Sequence, residues 1–196
     1  MTASVILGHP YVGSFNHAIY ERVRESLGRA GIGAFCHDLY AEGFDPVMTV
    51  DELGKVPSVD PLVLLYTKEL IASDCLIFIH PNWWGQPPAI LKGYVDRVMR
   101  PPHAYDLIEG QDSSGVAVGR LGQKTAMVFN TSNTPADRED SYFHDPLEYI
   151  WGRCIFGFCG IEKYRRIMFR VVDSSSPEDR RRWLDEVEDC IAGALR

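Results

Sequence analysis

Residues 74–105 read DCLIFIHPNWWGQPPAILKGYVDRVMRPPHAY, and this stretch decides the fold. Cys75–Ile79 is a short apolar run between polar residues, which is typical of a strand buried on both faces. Pro81 has no N–H group, so it is predicted to end that strand's hydrogen-bond ladder. Pro88 suits the first turn of a helix. The apolar residues that follow at helical spacing are Ile90, Leu91, Tyr94, Val95, Val98 and Met99. The stretch therefore predicts a strand, a loop and a helix.

The loop at 82–86 reads NWWGQ and is richer in aromatic residues than an ordinary solvated turn. It follows the carboxyl end of a buried strand, where open α/β sheets bind their ligands. Trp83 and Trp84 offer flat apolar surface, and a helix beginning near Pro88 offers free N–H groups and a positive dipole end. These features suit a flat ring that becomes electron-rich on reduction, such as a flavin. The alternative is that both tryptophans simply cap the core.

Composition predicts one globular domain covering residues 1–196, with 24% charged and 45% hydrophobic residues. The net charge of −7 argues against nucleic acid or an anionic membrane as the main partner. No apolar run reaches the roughly 20 residues that span a bilayer, and no signal peptide is recognisable. We therefore expect a cytoplasmic protein without membrane insertion.

The cysteines and histidines favour neither disulfides nor a metal site. The five cysteines are odd in number and irregularly spaced, without a CxxC pair, so we expect reduced and mostly buried thiols. The six histidines show no metal-ligand spacing, so no metal is expected.

Four more strands and four more helices alternate along the chain. The predicted strands are Ala3–Gly8, Ala34–Leu39, Thr125–Phe129 and Arg166–Val172. The predicted helices begin near Asn16, at Pro61, at Leu147 (with Ile150, Trp151, Cys154 and Ile155 inward) and at Pro177. Segments 41–58 and 110–122 are predicted loops, and 136–141 is charged and predicted to be exposed. This alternation predicts a five-stranded parallel sheet with helices on both faces, and the flavodoxin-like order 2-1-3-4-5 fits.

That strand order brings three loops, 9–16, 81–87 and 130–135, to one switch point. In the first loop Ser14 or Asn16 is the expected N-cap, and the helix N-terminus is suited to a phosphate, helped by His9. A plain N-cap without a ligand is the alternative. The loop is not the G-x-G-x-x-G fingerprint, because it contains only Gly13.

Several motifs together resemble one known family. They are His9 with Gly13-Ser14-Phe15-Asn16, Asp38-Leu39-Tyr40, the run from Pro81 to Val98, Ala104-Tyr105 and Phe158-Cys159-Gly160. The chain resembles, along nearly its whole length, the flavodoxin-fold NAD(P)H:quinone oxidoreductases. These include the DT-diaphorase type and shorter bacterial enzymes known as modulator of drug activity or potassium-efflux ancillary proteins.

The resemblance implies a role for each matching residue. The flavin phosphate and ribityl chain would be held by His9, Ser14, Phe15 and Asn16. The isoalloxazine ring would be lined by Pro81, Asn82, Trp83, Trp84 and Gly85, with Asn130, Thr131, Ser132 and Asn133 at its edge. Tyr105 and His103 would lie near the substrate pocket at a homodimer interface. Tyr142 and His144 are the nearest candidates for assisting hydride transfer, and a surface or helix-capping histidine is the alternative for His144.

The implied activity is hydride transfer from NADPH or NADH to the flavin and then to a quinone, in a ping-pong cycle. FMN is favoured because the chain lacks the long C-terminal extension of the larger FAD enzymes, and FAD is the alternative. The sequence departs from the family pattern at Asn130–Thr134, which replaces a Thr-Thr-Gly-Gly loop. The identity of the electron acceptor is therefore left open. A flavodoxin-like electron carrier is the competing hypothesis. A flavin-free receiver or hydrolase is disfavoured, because carboxylates after the first strand and a G-x-S-x-G motif are both absent from the sequence.

Overall fold

The computed structural model describes residues 1–107 and 117–194. Within these ranges the strands are β1 (Thr2–Leu7), β2 (Gly33–Asp38), β3 (Cys75–Pro81), β4 (Tyr105–Leu107), β5 (Ala117–Gly119), β6 (Thr125–Ser132) and β7 (Lys163–Arg170). The α-helices are α1 (Phe15–Arg29), α2 (Pro61–Ala72), α3 (Ala89–Val98), α4 (Ala136–Arg138), α5 (Pro146–Tyr149) and α6 (Pro177–Ala194). A short 3₁₀ turn covers Val50–Glu52, and π-helical segments cover Glu139–Phe143 and Ile150–Gly157.

Five parallel strands form the main sheet in the order β2-β1-β3-β6-β7. Counted along this sheet alone, the order is 2-1-3-4-5, so the predicted flavodoxin-like topology agrees with the structure and β2 lies at an edge. β4 and β5 form a separate antiparallel pair. The sequence did not predict this pair, because 110–122 was expected to be a loop; residues 110–116 of that segment lie outside the described residues.

Each face of the sheet packs on its own hydrophobic cluster. On one face, alternate strand residues such as Val5 and Ile77 pack with α1 and α6. On the other face, the neighbouring residues Ile6 and Phe78 pack with α2, α3 and the second π-helical segment. Because successive strand residues point to opposite faces, every residue of β3 is buried, which explains its unbroken apolar run.

Two strands run further than the sequence predicted. β3 continues to Pro81, which pairs with Thr131, and the Asn82 N–H donates to the Thr131 carbonyl at 2.7 Å. β3 does end at Pro81, as predicted, but Pro81 is itself paired and the strand runs two residues beyond the predicted end at Ile79. The Gly8 N–H donates to the Ile79 carbonyl, so at residues 79 and 81 the backbone polar groups face β1. Since β1 ends at Leu7, no partner strand lies where the proline N–H is missing.

The predicted helix at 147–158 takes a different form. It is a short α5 followed by a π-helical segment, in which each turn contains more residues than an α-helical turn. The wider turn changes which residues face the core. Trp151, Ile155 and Phe156 are buried, whereas Cys154 is exposed, contrary to the prediction.

The cysteines of the described chain are all free thiols. Cys75, Cys159 and Cys190 are buried, Cys36 is half-buried and Cys154 is exposed, so the prediction of mostly buried thiols agrees with the structure. Among the helices of the described residues, none combines the length and apolar character needed to cross a membrane.

A buried ion pair fixes the long segment between β2 and α2. Arg97 on α3 donates to both carboxylate oxygens of Glu52, each at 2.8 Å, and to Asp60 at 3.0 Å. Ser58 also donates to Glu52, at 2.5 Å. The hydrogen bond from Arg97, aided by that from Ser58, holds the pKa of Glu52 at about 2, below its usual value of 4.5. The segment is therefore pinned to α3 by charge-assisted hydrogen bonds.

We predict that Glu52→Gln destabilises the protein at neutral pH by roughly 2 to 3 kcal/mol, because it removes one charge of a buried pair. The native carboxyl has the lower pKa, so its contribution is complete above pH 4.5 and is lost as the pH falls towards about 2. Urea unfolding at several pH values should show that the difference in unfolding free energy between wild type and variant becomes smaller in acid.

The matched control for this prediction is Glu21→Gln. Glu21 pairs with Arg24 on the surface of α1, and such exposed pairs contribute less than about 1 kcal/mol. A stability difference between wild type and Glu52→Gln that stayed constant over the acid range would contradict the prediction.

Candidate functional site

The carboxyl ends of β1, β3 and β6 enclose a cleft of about 490 Å³. The predicted site residues that line it are His9, Ser14, Phe15, Asn16, Pro81, Asn82, Trp83, Thr131, Ser132 and Asn133. Val172, Asp173 and Arg180 also line it, from the end of β7 and from α6, and no motif in the sequence indicated them. The structure thus brings residues of all three predicted loops into one cleft.

Ser14 caps α1 at one end of this cleft. Its Oγ accepts the backbone N–H of His17 at 3.3 Å, which satisfies one of the free N–H groups of the first turn. The remaining N–H groups and the positive end of the helix dipole make this end of the cleft suitable for an anion.

Asn16, in the first turn of α1, has an unsatisfied acceptor. Its Nδ2 donates to Thr131 Oγ1 at 2.8 Å, which links the first and third loops. Its Oδ1 is buried and has no hydrogen-bond partner. An unpaired buried polar atom costs about 1–3 kcal/mol, and a ligand hydroxyl or N–H could satisfy it. The residue types and this unpaired oxygen fit the sugar-like chain of a flavin nucleotide.

His9 presents a neutral donor to the cleft. Its Nδ1 accepts the backbone N–H of Tyr11 at 3.1 Å, so the ring proton lies on Nε2. Partial burial lowers its pKa below the usual value, with a smaller lowering effect from His17, and the ring is therefore neutral near pH 7. Its centroid lies 6.0 Å from the Trp83 ring.

The two tryptophans of the aromatic loop have different positions. Reciprocal backbone hydrogen bonds between Trp83 and Gln86, at 3.0 and 3.2 Å, close a tight turn. Trp84 and Gly85 lie at its centre with φ of 59° and 69°. Trp83 lines the cleft and is 41% exposed, whereas Trp84 is 99% exposed and lies outside the cleft lining. The alternative in which both rings cap the core is wrong.

A buried histidine supports this loop from below. The Nδ1–H of His80 donates to the Pro81 carbonyl at 2.8 Å, and its Nε2 accepts from Trp151 Nε1 at 2.9 Å. Asn130 Nδ2 lies 2.8 Å from the same Nε2. Complete burial lowers the pKa of His80 to about 4, which keeps the ring neutral. Arg166 donates to Asn130 Oδ1 at 3.2 Å and extends the network.

This network corrects the expected position of the third loop. Asn130, Thr131 and Ser132 were predicted in a loop, but they form the buried end of β6. Thr131 and Ser132 line the cleft, whereas Asn130 lies behind it and orients His80. The apolar part of the strand ended at Phe129, so the hydrophobic pattern could not show that pairing with β7 continues.

Glu139 also lies behind the aromatic loop. Asn82 accepts the Gly85 N–H at 3.0 Å and donates to Glu139 Oε1 at 3.1 Å. Glu139 is 2% exposed, although segment 136–141 was predicted to be exposed, and its Oε2 has no partner. A carboxylate in a charged segment gives no sequence sign of burial.

Four predicted residues lie away from the cleft within one chain. Tyr142 is 73% exposed, and His144 is exposed with a left-handed φ of 58°. Tyr105 packs against Phe158, with ring centroids 4.8 Å apart, in a second cavity of about 400 Å³. His103 lines a third cavity of about 550 Å³. The roles of these four residues stay predictions.

The cleft combines an anion-binding end, an aromatic wall and a polar rim, which is the arrangement a bound flavin nucleotide requires. Within residues 1–107 and 117–194, no group of three or more His, Cys, Asp or Glu side chains could hold a metal ion. Arg180 adds a positive charge at the α6 side of the cleft.

Fold and cleft together define a doubly wound α/β protein with a cleft at its topological switch point. A family profile described as flavodoxin-like fold matches residues 1–190, and the chain belongs to that family.

Named relatives support the resemblance found in the sequence. The chain is 31% identical over 173 residues to a Haemophilus influenzae protein named uncharacterized NAD(P)H oxidoreductase, covering 86% of this chain and 83% of that one. It is 30% identical to rat (Rattus norvegicus) NAD(P)H dehydrogenase [quinone] 1, covering 91% and 72%. The resemblance to NAD(P)H:quinone oxidoreductases is confirmed.

The fold is also shared with a solved structure of lower sequence identity. It is an FMN-dependent NADH-azoreductase of Bacillus anthracis in complex with FMN, with a TM-score of 0.76 and 17% identity over the full length of both chains.

We predict that Gly85→Ala disrupts the aromatic loop. A Cβ at this position would lie 2.7 Å from Pro146 Cγ, and the φ of 69° disfavours any side chain. Strain and overlap together should cost about 2–4 kcal/mol. Urea unfolding measures this loss, and tryptophan fluorescence measures the displacement of Trp83.

Gly43→Ala is the matched control. Gly43 has a similar φ of 65°, but nothing lies within 4 Å of the position that an added Cβ would take. It should show only the backbone cost of about 1–2 kcal/mol. Equal losses in the two variants would show that contact with Pro146 is unimportant.

Proposed function

We propose that the protein is a flavin-dependent NAD(P)H oxidoreductase that transfers hydride from NAD(P)H through bound flavin to a quinone-type acceptor. The observation that carries this proposal is the single cleft formed by three loops, with its anion-binding end, aromatic wall and polar rim. The names of the relatives support the nicotinamide donor and the quinone acceptor.

The cofactor of this proposal is FMN, with FAD as the alternative. The helix N-terminus, Ser14 and His9 would hold the phosphate, and Asn16 Oδ1 would accept from the ribityl chain. Trp83 and its neighbours Pro81 and Asn82 would line the ring, and the strand end at 131–133 would contact the ring edge. When bound, the flavin accepts two electrons as a hydride and passes them on. The FMN-bound azoreductase with the same fold supports this choice.

The protein's own contribution is orientation and fixed polarity. The neutral His80 holds the Pro81 carbonyl in place, and Asn82 is held between Gly85 and Glu139. Such pre-organised dipoles stabilise developing charge without reorganising during the reaction. Donor and acceptor would use the same cleft in turn, as a ping-pong cycle requires.

The proposal includes a homodimer, because Tyr105 and His103 lie away from the cleft of their own chain. His103 lines the α2 groove, which we define by the exposed apolar residues Val56, Leu64, Leu65 and Ile71. Exposed apolar surface of this kind marks an interface. In the proposed dimer, Tyr105 and His103 would lie near the substrate pocket at the interface, and Tyr142 and His144 would assist hydride transfer.

The first test is the absorption spectrum of the purified protein with added FMN. We expect a flavin spectrum that bleaches with NADPH or NADH under anaerobic conditions and recovers on addition of benzoquinone. Bound flavin that no nicotinamide reduces would favour the electron carrier instead.

We predict that Trp83→Ala weakens FMN binding by about tenfold or more, because the ring that lines the cleft loses its contact with the flavin. Trp84→Ala, the matched control, should leave FMN affinity within about twofold, because Trp84 is fully exposed. Quenching of flavin fluorescence measures both. Equal losses of FMN affinity in the two variants would contradict the assignment of Trp83 as the cleft wall.

We predict that Leu64→Glu separates the dimer, because it places a charge in the apolar α2 groove. Light scattering should show a smaller particle. This particle should still bind FMN, and it should oxidise NADPH more slowly than the wild type does. Ala30→Glu, at the exposed end of α1, adds the same charge elsewhere and should leave the dimer intact. A fully active wild-type monomer would refute the dimer.

A further inference from the structure

Three side chains connect the anion-binding end of the cleft to the end of β2. Ser14 Oγ lies 3.0 Å from Nδ1 of His17, and His17 Nε2 lies 3.0 Å from Asp38 Oδ2. The side chains of His17 and Asp38 are 11% and 18% exposed. Ser14 belongs to the proposed phosphate site, whereas His17 and Asp38 had no assigned part in it.

Asp38 is held in one orientation by its other oxygen. Its Oδ1 accepts the backbone N–H groups of Tyr40 at 3.1 Å and Ala41 at 3.2 Å. Oδ2 is then directed at His17. The carboxylate is therefore a fixed partner for the imidazole, since turning it away would break two backbone hydrogen bonds.

The hydrogen-bond capacity of Ser14 limits what it can offer a ligand. A hydroxyl has one proton and two acceptor positions, and one of these accepts the His17 backbone N–H. When His17 is neutral and donates Nε2–H to Asp38, Nδ1 is a bare acceptor. The Ser14 proton must then point at Nδ1, and none is left for the cleft.

One additional proton on the His17–Asp38 pair reverses this arrangement. His17 then donates from Nδ1 to Ser14 and from Nε2 to Asp38, which fills the second acceptor position of Ser14. The Ser14 hydroxyl can now donate to an anion in the cleft. If the proton on Nε2 moves to the Asp38 carboxyl, the His17–Asp38 pair still holds the same number of protons. The conclusion therefore does not depend on which of the two groups carries that proton.

We propose that His17, oriented by Asp38, is a proton-linked positioning residue: the pair takes up one proton when the phosphate of the cofactor binds at Ser14. This inference rests on the flavin site proposed above. The proton also supplies positive charge behind the phosphate. Among the described residues that line the cleft there is no lysine, and Arg180, the single arginine, comes from α6.

The other titratable groups around the pair are neutral near pH 7 or permanently charged. His9, whose ring is 6.1 Å from that of His17, has a pKa lowered mainly by burial. Burial raises the pKa of Tyr20 on α1 and of Cys36 on β2, so both stay protonated. Arg24, which lies beside Cys36, is paired with Glu21. Proton uptake is thus assigned to His17 and Asp38.

The test is calorimetric titration of FMN into the intact protein in buffers of different ionisation enthalpy, at mildly alkaline pH. The FMN phosphate is then already a dianion, since its second pKa is about 6. We expect uptake of about one proton per FMN, and a Kd that rises about tenfold per pH unit. Riboflavin, which lacks the phosphate, should bind without proton uptake.

The variants separate the proposed role from a structural one. His17→Asn retains a side-chain amide that can donate to Ser14 without titrating, so it should bind FMN with no proton uptake and little pH dependence. Asp38→Asn should also lose the uptake and bind FMN more weakly. Glu21→Gln, the control on the same helix, should keep the wild-type uptake.

The outcomes that overturn the inference are distinct from those that overturn the flavin function. FMN binding to wild type without proton uptake, or uptake retained in His17→Asn, overturns the inference alone. If neither FMN nor FAD binds to wild type, the proposed function and this inference both fall.

Discussion

The cleft exists because β1 ends before β3 and β6 do. Leu7 pairs with Ile79, after which β3 continues to Pro81 and β6 to Ser132. This step in the edge of the sheet leaves room above β1, and the N-terminus of α1 occupies one side of that space. Pro81 can lie at the step because no strand beside it requires its N–H. Three features therefore meet at one edge of the sheet: the chain reversal after β1, the aromatic turn after β3 and the polar end of β6.

Polar groups behind the cleft keep these loops in one geometry. His80 is neutral, fully buried and held by Asn130 and Trp151, and its proton is committed to the Pro81 carbonyl. A buried network with its partners in place is rigid, because each broken bond would leave a polar group unpaired in a low-dielectric interior. The Oδ1 of Asn16 is different: it is buried without a hydrogen-bond partner, on a residue that lines the cleft. The satisfied groups set the shape of the site.

The two ends of the cleft perform different tasks in the proposed enzyme. At the aromatic end, rigid loops orient the ring and little proton chemistry is needed, because the flavin supplies the redox step. At the helix end, Ser14, His17 and Asp38 couple the anion to a proton. The proton-linked groups are separated from the flavin ring. The pH therefore acts on the affinity for the cofactor alone. His103, which lies outside the cleft of its own chain, lines the α2 groove.

The sequence by itself determined the alternation of strands and helices, the buried β3, the edge strand β2 and the cleft loops after β1 and β3. It could do so because hydrophobic periodicity and turn residues act locally. Only the tertiary structure decided that Trp83 faces the cleft and Trp84 faces solvent, because both rings belong to one turn and its left-handed backbone separates them. The same holds for Asn130 and Glu139: polar residues next to apolar ones look exposed until long-range partners bury them. Nothing in the sequence indicated the role of His17 for the same reason, since His17 lies on α1 and its partner Asp38 lies on β2.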